Sequence, residues 1–366
     1  MASLAEPLTR FAHTPNPAPR SAEARAAVLA NPGFGNAFTD HMVTINWSEE
    51  LGWHGAAVVP YGPIALDPAA SVLHYAQEIF EGMKAYRHPD GSMALFRPEA
   101  NADRFNASAR RLAMPELPSE LFIAAIRELV AADKDWFPDV EGGSLYIRPF
   151  MIATEAFLGV RPAKAYKFIV IISPAGNYFK SGAPAVSLWV SDYTRAAPGG
   201  TGAAKCGGNY AASLVPTKEA FELGHDQVLF LDAAEHKWVE ELGGMNLFFA
   251  FEDGSLLTPP LSGTILAGIT RDSLIALARD EGLTVREEPY SLDAWRADAA
   301  SGKLVEAFAC GTAAVVTPVG KVADHSGEFT IGSGGPGQLT GKLKARLTAI
   351  QRGEAPDPHG WVVRLG

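Results

Sequence analysis

The arrangement of strand-like segments constrains the fold of this 366-residue chain more than any other feature. Apolar runs of strand length, such as 168–172 and 246–251, recur along the chain, and several follow one another without a helical pattern between them. A doubly wound dinucleotide-binding fold requires strand and helix to alternate regularly. The sequence therefore predicts an α+β fold in which helices pack around mixed sheets.

The length of the chain allows two separate cores. The segment 174–200 is rich in Gly, Pro, Ser and Ala, a composition typical of a connection between domains. We therefore predict an N-terminal arm at 1–33, a smaller α/β domain at 34–180, an interdomain loop at 181–200 and a larger domain at 201–366.

Charge and residue usage exclude several classes of partner. The formal net charge of −10 disfavours binding to a nucleic-acid backbone, which requires a basic patch. The longest apolar runs are too short to span a membrane, and the nine histidines show no metal-ligand spacing. Cys206 and Cys310 are too far apart for a short redox motif and fit a reducing compartment. We expect a cytoplasmic protein without a metal, a nucleic-acid partner or a membrane segment.

Two helix starts are predicted from residues that commonly cap helices. Ser119 precedes a segment with Phe122 and Ile126 on one face, and Thr270 precedes a helical pattern at 271–281. At such a start, the side-chain oxygen of the cap accepts a bond from a backbone N–H group that has no partner within the helix.

Lys205 lies in an unusual segment, Gly200-Thr-Gly-Ala-Ala-Lys-Cys-Gly-Gly-Asn-Tyr210, which is too rich in glycine for an ordinary helix or strand. A lysine amine that loses its proton in a desolvated pocket can attack a carbonyl and form a Schiff base. The alternative is a solvated lysine on a surface loop. A phosphate-binding loop of the Gly-Lys-Ser/Thr type does not fit, because Ala204 precedes the lysine and Cys206 follows it.

A carboxylate followed by Leu-Gly-Gly-Met-Asn forms a second pattern. A buried anion on a strand can keep the ring nitrogen of a pyridine cofactor protonated, so that the ring withdraws electrons. Glu240 and Glu241 alternate faces of the strand predicted at 238–241, so we expect only one of them to point inward. The pattern leaves the choice between them open, and either could instead be a solvated or salt-bridged edge residue.

A third pattern suits a phosphate group. Gly268, Ile269 and Thr270 precede the helical segment 271–281, where backbone N–H groups and the helix dipole stabilise an anion. Most helix caps of this kind bind nothing. Arg104 could offer the same dianion a bidentate contact, although an arginine in such a segment is more often paired with an acid at the surface.

Together these pieces resemble the branched-chain-amino-acid aminotransferases, a family of pyridoxal-phosphate enzymes of fold type IV. The resemblance covers roughly residues 34–361. The segments that carry it are Phe38-Thr-Asp-His-Met42, Leu73-His-Tyr75, Phe80-Glu-Gly-Met-Lys-Ala-Tyr86, Leu95-Phe-Arg-Pro98, Lys205-Cys-Gly-Gly-Asn-Tyr210, Glu241-Leu-Gly-Gly-Met-Asn246 and Gly311-Thr-Ala313. The set is specific only in combination and in this order.

The resemblance implies a role for each matching residue. Lys205 would form the Schiff base with pyridoxal 5′-phosphate, and Glu241 rather than Glu240 would face the ring nitrogen. The remaining cofactor contacts would come from Arg104, Tyr210, Gly268, Ile269, Thr270 and Thr312. The substrate would be bound by Phe34, Tyr75, Phe80, Tyr146, Arg148, Tyr178, Gly244, Thr312 and Ala313. Tyr146 and Arg148 are two apart on a predicted strand and therefore face one side.

The resemblance also implies the reaction. Leucine, isoleucine or valine would exchange its amino group with 2-oxoglutarate, giving a branched-chain 2-oxo acid and glutamate in a homodimer with ping-pong kinetics. Two enzymes of the same fold would share the lysine and the glutamate: a D-amino-acid transaminase and a lyase of the aminodeoxychorismate type. A relative that binds metabolites without catalysis is the alternative from a different functional class.

Overall fold

The computed structural model describes residues 10–176 and 185–365 of the chain. The chain divides into two compact units. The first contains Met1–Tyr178, Ala204–Gly207 and Gln351–Gly366, and the second contains Phe179–Ala203 and Gly208–Ile350. Each unit has its own sheet and its own hydrophobic core.

Helices and strands alternate irregularly along the described chain. The helices are α1 (Ala22–Ala30), α2 (Ser71–Tyr75), α3 (Pro98–Arg111), α4 (Ser119–Ala132), α5 (Gly207–Ala211), α6 (Leu214–Glu222), α7 (Ile269–Asp280), α8 (Leu292–Ser301) and α9 (Gln338–Gln351), with a 3-10 turn at Lys134–Trp136. The strands are β1 (Ala12–His13), β2 (His41–Ser48), β3 (Gly52–Pro60), β4 (Glu78–Phe80), β5 (Met83–Arg87), β6 (Met93–Phe96), β7 (Ser144–Ala153), β8 (Ala165–Ala175), β9 (Val186–Val190), β10 (Gln227–Leu231), β11 (Val239–Leu242), β12 (Asn246–Phe251), β13 (Leu256–Thr258), β14 (Val285–Glu287), β15 (Leu304–Gly311), β16 (Val315–Asp324), β17 (Gly327–Thr330) and β18 (Val362–Leu365).

The first unit is built on a nine-stranded sheet in the order β1-β3-β2-β8-β7-β5-β6-β18, with β4 paired to β7. The pairs are antiparallel except β1 with β3. Helix α4 packs on β2 and β8 through an apolar face that includes Phe122 and Ile126, and α3 packs on α4. Phe105, Phe122 and Phe168 form an aromatic cluster at this contact. Each such ring contributes about 1.5–3 kcal/mol through burial, so the cluster fixes α3 on the sheet.

The second unit is built on a mixed nine-stranded sheet in the order β11-β10-β9-β16-β15-β12-β13-β14, with β17 paired to β16. Strand β9 runs parallel to both β10 and β16, whereas β12, β15 and β16 pair antiparallel. Trp295 of α8 is fully buried and contacts Phe249 edge to face at 4.7 Å between ring centroids. The predicted α+β class with mixed sheets is confirmed.

The division into units differs from the predicted linear segments in where it places two stretches. Residues 204–207 belong to the first unit, because Ala204 and Cys206 are buried in its core. The end of the chain also returns to the first unit, where Val362 of β18 pairs with Phe96 of β6. The sequence had assigned both stretches to the larger C-terminal domain.

Both predicted helix caps are wrong. Ser119 is the first residue of α4, and Pro118, which has no side-chain acceptor, occupies the capping position. Thr270 lies inside α7, which begins at Ile269 with Gly268 as its cap and without a side-chain capping bond. In each case the helix begins one or two residues earlier than the capping preference suggested, so the orphan N–H groups of both starts lack a side-chain cap.

Among residues 10–176 and 185–365, no helix combines the length and apolar character that crossing a membrane requires. Within the same ranges, no group of three or more His, Cys, Asp or Glu side chains is placed to hold a metal ion.

Candidate active site

The backbone around Lys205 is held by the first unit on both sides. The carbonyl oxygen of Lys205 accepts a bond from Phe80 N at 3.0 Å, and Lys205 N donates to Ser108 Oγ at 2.9 Å. Two residues further on, Gly207 N donates to the carboxylate of Glu78. An added Cβ at Gly207 would lie 2.1 Å from Glu78 Oε1, so only glycine permits this approach. The glycine-rich sequence therefore serves close packing around the lysine.

The amine of Lys205 sits among charged and phenolic groups of the same unit. Burial first and the positive charge of Arg104 second lower the pKa of Lys205 from 10.5 to about 8. Glu81 and Tyr146 act in the opposite direction, and Arg148 again lowers it. A lysine with this pKa is partly uncharged near neutral pH, which is the form that attacks a carbonyl or accepts a proton.

Arg104 forms a buried ion pair with Glu81. Its Nε lies 2.7 Å from Glu81 Oε1 and its Nη2 lies 2.8 Å from Oε2, so the contact is bidentate. Asn101 Nδ2 and Gly82 N also donate to Oε2, at 2.7 and 3.1 Å. Burial alone would raise the pKa of Glu81, but Arg104, the charge of Lys205 and the bond from Asn101 lower it overall. The bidentate partner of Arg104 in this structure is thus an acid; its contact with a phosphate stays a prediction.

An aromatic wall stands beside this pair. Phe34 contacts Tyr146 edge to face at 4.8 Å, and the guanidinium of Arg148 lies 4.8 Å from the Phe80 ring centroid. Arg148 Nη2 donates to Tyr146 Oη at 3.1 Å, as expected for residues on one face of β7. An added Cβ at Gly82 would lie 2.2 Å from Tyr146 Oη, so the tyrosine passes directly over this glycine. The structure brings these four predicted substrate residues together.

The same wall contains an arginine with spare hydrogen-bonding capacity. Arg148 Nε is buried and has no partner among the described residues. The Nζ of Lys205 lies 4.6 Å from the Phe80 ring centroid, on the ring that Arg148 also covers. A guanidinium between aromatic rings with an unpaired N–H suits an incoming carboxylate.

Two further predicted substrate residues, Tyr75 and Tyr178, have no contact with this group that can be described. Tyr75 is 41% exposed, and its hydroxyl donates to the carbonyl oxygen of Leu158. Tyr178 lies outside the described residues. Their substrate roles stay predictions.

In the second unit, Glu241 forms a buried ion pair with Arg195. Arg195 Nη1 lies 2.7 Å from Glu241 Oε1, with the two side chains 2% and 3% exposed. Leu266 N donates to the same oxygen at 3.0 Å, and Asn246 Nδ2 lies 3.4 Å from Oε2. A guanidinium at this distance favours the ionised carboxylate. The geometry therefore provides the fixed anion that the sequence pattern predicted.

The neighbouring acid corrects one expectation. Glu240 and Glu241 are both buried, because every residue of β11 is covered on both faces of the sheet. Glu240 accepts a bond from Thr264 Oγ1, and burial raises its pKa. The two faces of β11 are equally covered, but they differ in charge, because the guanidinium of Arg195 pairs with Glu241.

The start of α7 has the geometry of an anion site. Gly268 has extended backbone angles, and an added Cβ there would lie 2.0 Å from Asn246 Oδ1. A larger residue at this position would displace the Asn246 side chain. Ile269 and Thr270 occupy the first turn, where N–H groups have no partner within the helix. Thr270 is buried.

The remaining predicted residues lie on turns of the second unit. A Cβ added at Gly244 would lie 3.6 Å from the ring of Tyr210. A Cβ added at Gly311 would lie 3.5 Å from the carbonyl oxygen of Gly244. Thr312 and Ala313 follow Gly311 in the turn between β15 and β16. The turns after β11 and β15 thus approach each other and Tyr210.

Sequence reasoning missed the side chains that hold these groups in place. Glu81 and Asn246 lie inside segments that carry the resemblance, but nothing in the sequence identifies their partners. Glu78 precedes one of these segments. Arg195 lies in the stretch interpreted as a domain junction, and an arginine in a Gly- and Pro-rich stretch gives no signal of burial.

Comparison with known proteins identifies the family. A sequence profile described as "Amino-transferase class IV" matches residues 78–322. The branched-chain-amino-acid aminotransferase of Mycolicibacterium smegmatis is 57% identical over 360 residues, which cover 97% of this chain and 98% of that protein. That of Mycobacterium tuberculosis is 57% identical over 347 residues, covering 93% and 94%. The branched-chain-amino-acid transaminase 1 of Bacillus subtilis is 49% identical over 335 residues, covering 91% and 94%.

Solved structures agree with these relatives. The branched-chain amino acid aminotransferase of Escherichia coli has a TM-score of 0.73 at 28% identity and covers 88% of this chain and 99% of that one. The T.th. branched-chain amino acid aminotransferase, complexed with N-(5′-phosphopyridoxyl)-L-glutamate, has a TM-score of 0.72 at 29% identity, covering 88% and 98%. The chain belongs to the class IV aminotransferases, a class that uses pyridoxal 5′-phosphate. Within that class, its family is that of the branched-chain-amino-acid aminotransferases, which confirms the resemblance found in the sequence.

Proposed function

We propose that this chain catalyses the reversible transfer of an amino group between L-leucine, L-isoleucine or L-valine and 2-oxoglutarate, with Lys205 as its catalytic residue. The observation that carries the proposal is the Lys205 amine, whose pKa of about 8 keeps part of it uncharged, beside the guanidinium groups of Arg104 and Arg148. The products are a branched-chain 2-oxo acid and L-glutamate. The family of the chain supports the same reaction.

Each unit contains groups whose chemistry suits pyridoxal 5′-phosphate. When bound, this cofactor supplies an aldehyde that bonds to an amine and a ring that stabilises negative charge on the adjacent carbon. Lys205 would hold the aldehyde carbon, Glu241 the ring nitrogen and Tyr210 the phenolic oxygen. The phosphate would be held by Arg104, Gly268, Ile269, Thr270 and Thr312. The N–H groups at the start of α7 and the Arg195-bound carboxylate of Glu241 support this assignment.

Lys205 then moves the proton. With cofactor and amino acid bound, the uncharged Nζ of Lys205 would take the proton from the substrate Cα. The same nitrogen would deliver that proton to the aldehyde-derived carbon of the cofactor, which returns Nζ to its uncharged form. Because amino acid and 2-oxo acid use the lysine in turn, we expect ping-pong kinetics.

Glu241, held by Arg195, would act on the ring nitrogen of the bound cofactor. A carboxylate that accepts bonds from a guanidinium and a backbone N–H remains an anion in a buried site. Such an anion stabilises a proton on the ring nitrogen it faces, which favours electron withdrawal from the substrate Cα.

One pocket has to accept an aliphatic side chain and the second carboxylate of glutamate. Phe34, Phe80 and Tyr146 supply an apolar wall, and Arg148 supplies the cation that the carboxylate requires. The unpaired Nε of Arg148 supports this role. Tyr75, Tyr178, Gly244, Thr312 and Ala313 would complete the substrate contacts. The T.th. relative was solved with a phosphopyridoxyl derivative of glutamate, in line with glutamate as a substrate here.

We further propose a homodimer in the cytoplasm. Leu73, Leu158 and Val160 are 58%, 62% and 88% exposed, an apolar surface that a second copy of the chain would cover. Light scattering after size exclusion should give the mass of a dimer, and Val160→Asp should shift it toward the monomer. Both cysteines are unpaired and buried, as expected in a reducing compartment. Cell fractionation tests the location.

The absorbance spectrum of the purified protein tests the function. We expect a cofactor band that L-leucine removes and that 2-oxoglutarate then restores, with D-alanine slower by about tenfold or more. A faster response to D-alanine would favour the D-amino-acid transaminase, and release of pyruvate from aminodeoxychorismate would favour the lyase. A chain without any band would be a non-catalytic relative.

A further inference from the structure

We propose that Glu81 is a positioning residue of this site: its carboxylate fixes the Arg104 guanidinium next to the Lys205 amine and balances the charge of the guanidinium there. The inference rests on the proposed function of Lys205 and adds a residue to it. Glu81 has no exposed surface, and its own backbone N donates to the Pro149 carbonyl oxygen of β7 at 2.8 Å. The acid is therefore anchored to the central strand of the sheet.

The geometry of the pair shows what Glu81 does to the arginine. Two parallel bonds join Nε and Nη2 of Arg104 to the two carboxylate oxygens. Because a guanidinium is planar, two hydrogen bonds along one edge also determine the direction in which its opposite edge points. Asn101 and Gly82 hold the carboxylate from the other side, at 2.7 and 3.1 Å. Because these bonds hold the Glu81 carboxylate in place, the Arg104 guanidinium that it binds has one orientation.

The charges explain why this matters for the lysine. Within the first unit, the groups that act on the Lys205 amine are Arg104 of α3, Glu81 between β4 and β5, and Tyr146 and Arg148 of β7. Glu78 of β4 holds Gly207 N and also interacts with Arg148. Two guanidinium groups thus favour the uncharged amine, and the Glu81 carboxylate opposes them. Burial is the largest cause of the lowered pKa of Lys205, and this balance of charges adjusts the pKa near its value of about 8.

The two members of the pair should therefore shift the amine in opposite directions. Glu81→Gln keeps the shape of the side chain but removes the negative charge, so the uncharged amine becomes more stable and its titration midpoint falls. Arg104→Gln removes the positive charge, and the midpoint rises. Glu81→Asp keeps the charge and should keep the midpoint close to that of the unaltered chain.

Competitive labelling of the full-length, cofactor-free chain measures this midpoint without transamination. Trace acetic anhydride reacts only with uncharged amines, and mass spectrometry of the Lys205 peptide across pH reports the titration. We expect a midpoint near 8 in the unaltered chain. The midpoint should fall by about one pH unit in Glu81→Gln and rise by about as much in Arg104→Gln. Glu116→Gln, which breaks an exposed ion pair with Arg110, is the matched control and should not change it.

Three results would overturn the proposal: equal midpoints in Glu81→Gln and the unaltered chain, equal shifts in Glu81→Gln and Glu81→Asp, or shifts of the same sign in Glu81→Gln and Arg104→Gln. Circular dichroism checks folding. If Glu81→Gln does not fold, the proposal is tested by whether the titration midpoint of Lys205 rises in Arg104→Gln. The response of the unaltered holoenzyme to L-leucine is a separate measurement, so failure of the proposed function is distinguishable from failure of this inference.

Discussion

Among the described residues, Arg104–Glu81 in the first unit and Arg195–Glu241 in the second are arginine–glutamate pairs with both side chains at most 10% exposed, and the two pairs are built differently. In the first unit, both carboxylate oxygens of Glu81 accept hydrogen bonds from Arg104, so the contact is bidentate. In the second, Arg195 and the Leu266 amide hold Oε1 of Glu241, and Asn246 lies 3.4 Å from Oε2. The first arrangement immobilises the arginine, whereas the second immobilises the acid.

This difference indicates which member of each pair takes part in the chemistry: the arginine in the first unit and the glutamate in the second. A buried ion pair is weak support for stability by itself, since desolvation of both charges offsets their attraction. Its retention is better explained by what the fixed charge does. In the first unit the fixed group is a cation beside the Lys205 amine, and in the second it is an anion suited to a ring nitrogen. Arg195 and Glu81 are then the supporting members.

The largest effect should come from the lysine that the first pair surrounds. Lys205→Ala removes both the amine that binds the aldehyde and the group that moves the proton. Turnover of L-leucine should fall by about 10⁴-fold or more, with the circular dichroism spectrum unchanged. Lys84→Ala, at another buried lysine of the same unit, is the matched control for loss of a buried amine. Retained turnover in the Lys205 variant would refute its assignment.

The next comparison sets the two acids against each other. Glu241→Gln removes the anion itself, and we expect the rate of the leucine half-reaction to fall by about 10²–10³-fold. Glu81→Gln removes only the partner of a cation, and we expect about a tenfold loss. Stopped-flow absorbance measures both. An equal loss in the two variants would mean that the pairs do not divide their roles as described.

Stability should respond alike to loss of either arginine. Arg195→Met and Arg104→Met each leave a buried carboxylate without its cation, at a cost of about 3–5 kcal/mol in the free energy of unfolding. Arg110→Met breaks an exposed pair with Glu116 and should change it by less than about 1 kcal/mol. Urea unfolding of the cofactor-free chains gives all three values. A change for Arg195→Met as small as that for Arg110→Met would show that Glu241 needs no cation.

The smallest effect should appear in the pH dependence of stability. Burial lowers the pKa of Lys205 from its usual 10.5 to about 8, so between these values the unfolded chain binds more protons than the folded one. The stability of the cofactor-free chain should therefore rise with pH across this window and be lower below pH 8. In Lys205→Met this contribution, about 1–3 kcal/mol, should disappear. Thermal unfolding at pH 7.5 and 10 measures it. A slope of the same size in both chains would contradict the lowered pKa.

How far the sequence predicts the site depends on whether a residue acts alone or through a distant partner. Lys205 and the Glu240–Glu241 pair stand out because their neighbours along the chain are unusual, and the structure places Lys205 and Glu241 each in a buried network. Glu81 and Arg195 escape notice because their partners are set by the packing of strands and helices that are remote in sequence. No local sequence pattern encodes a contact between residues so far apart in the chain.

The helix starts and the burial of β11 were mispredicted for a related reason. Capping preferences describe isolated helix ends, but Pro118 and Gly268 occupy the capping positions here. Alternation predicts one buried face for a strand, whereas β11 is covered on both sides. In both cases tertiary packing overrides the local preference, while the fold class depends on the whole series of elements and was predicted correctly.

Reduction of the holoenzyme with borohydride followed by peptide mass spectrometry tests the central claim most directly. Borohydride fixes the cofactor to the lysine that bears it. We predict a pyridoxyl label on the peptide that contains Lys205, and its loss when L-leucine is added before reduction. A label on another lysine, such as Lys84, or a Lys205 label that leucine does not remove, would contradict the account.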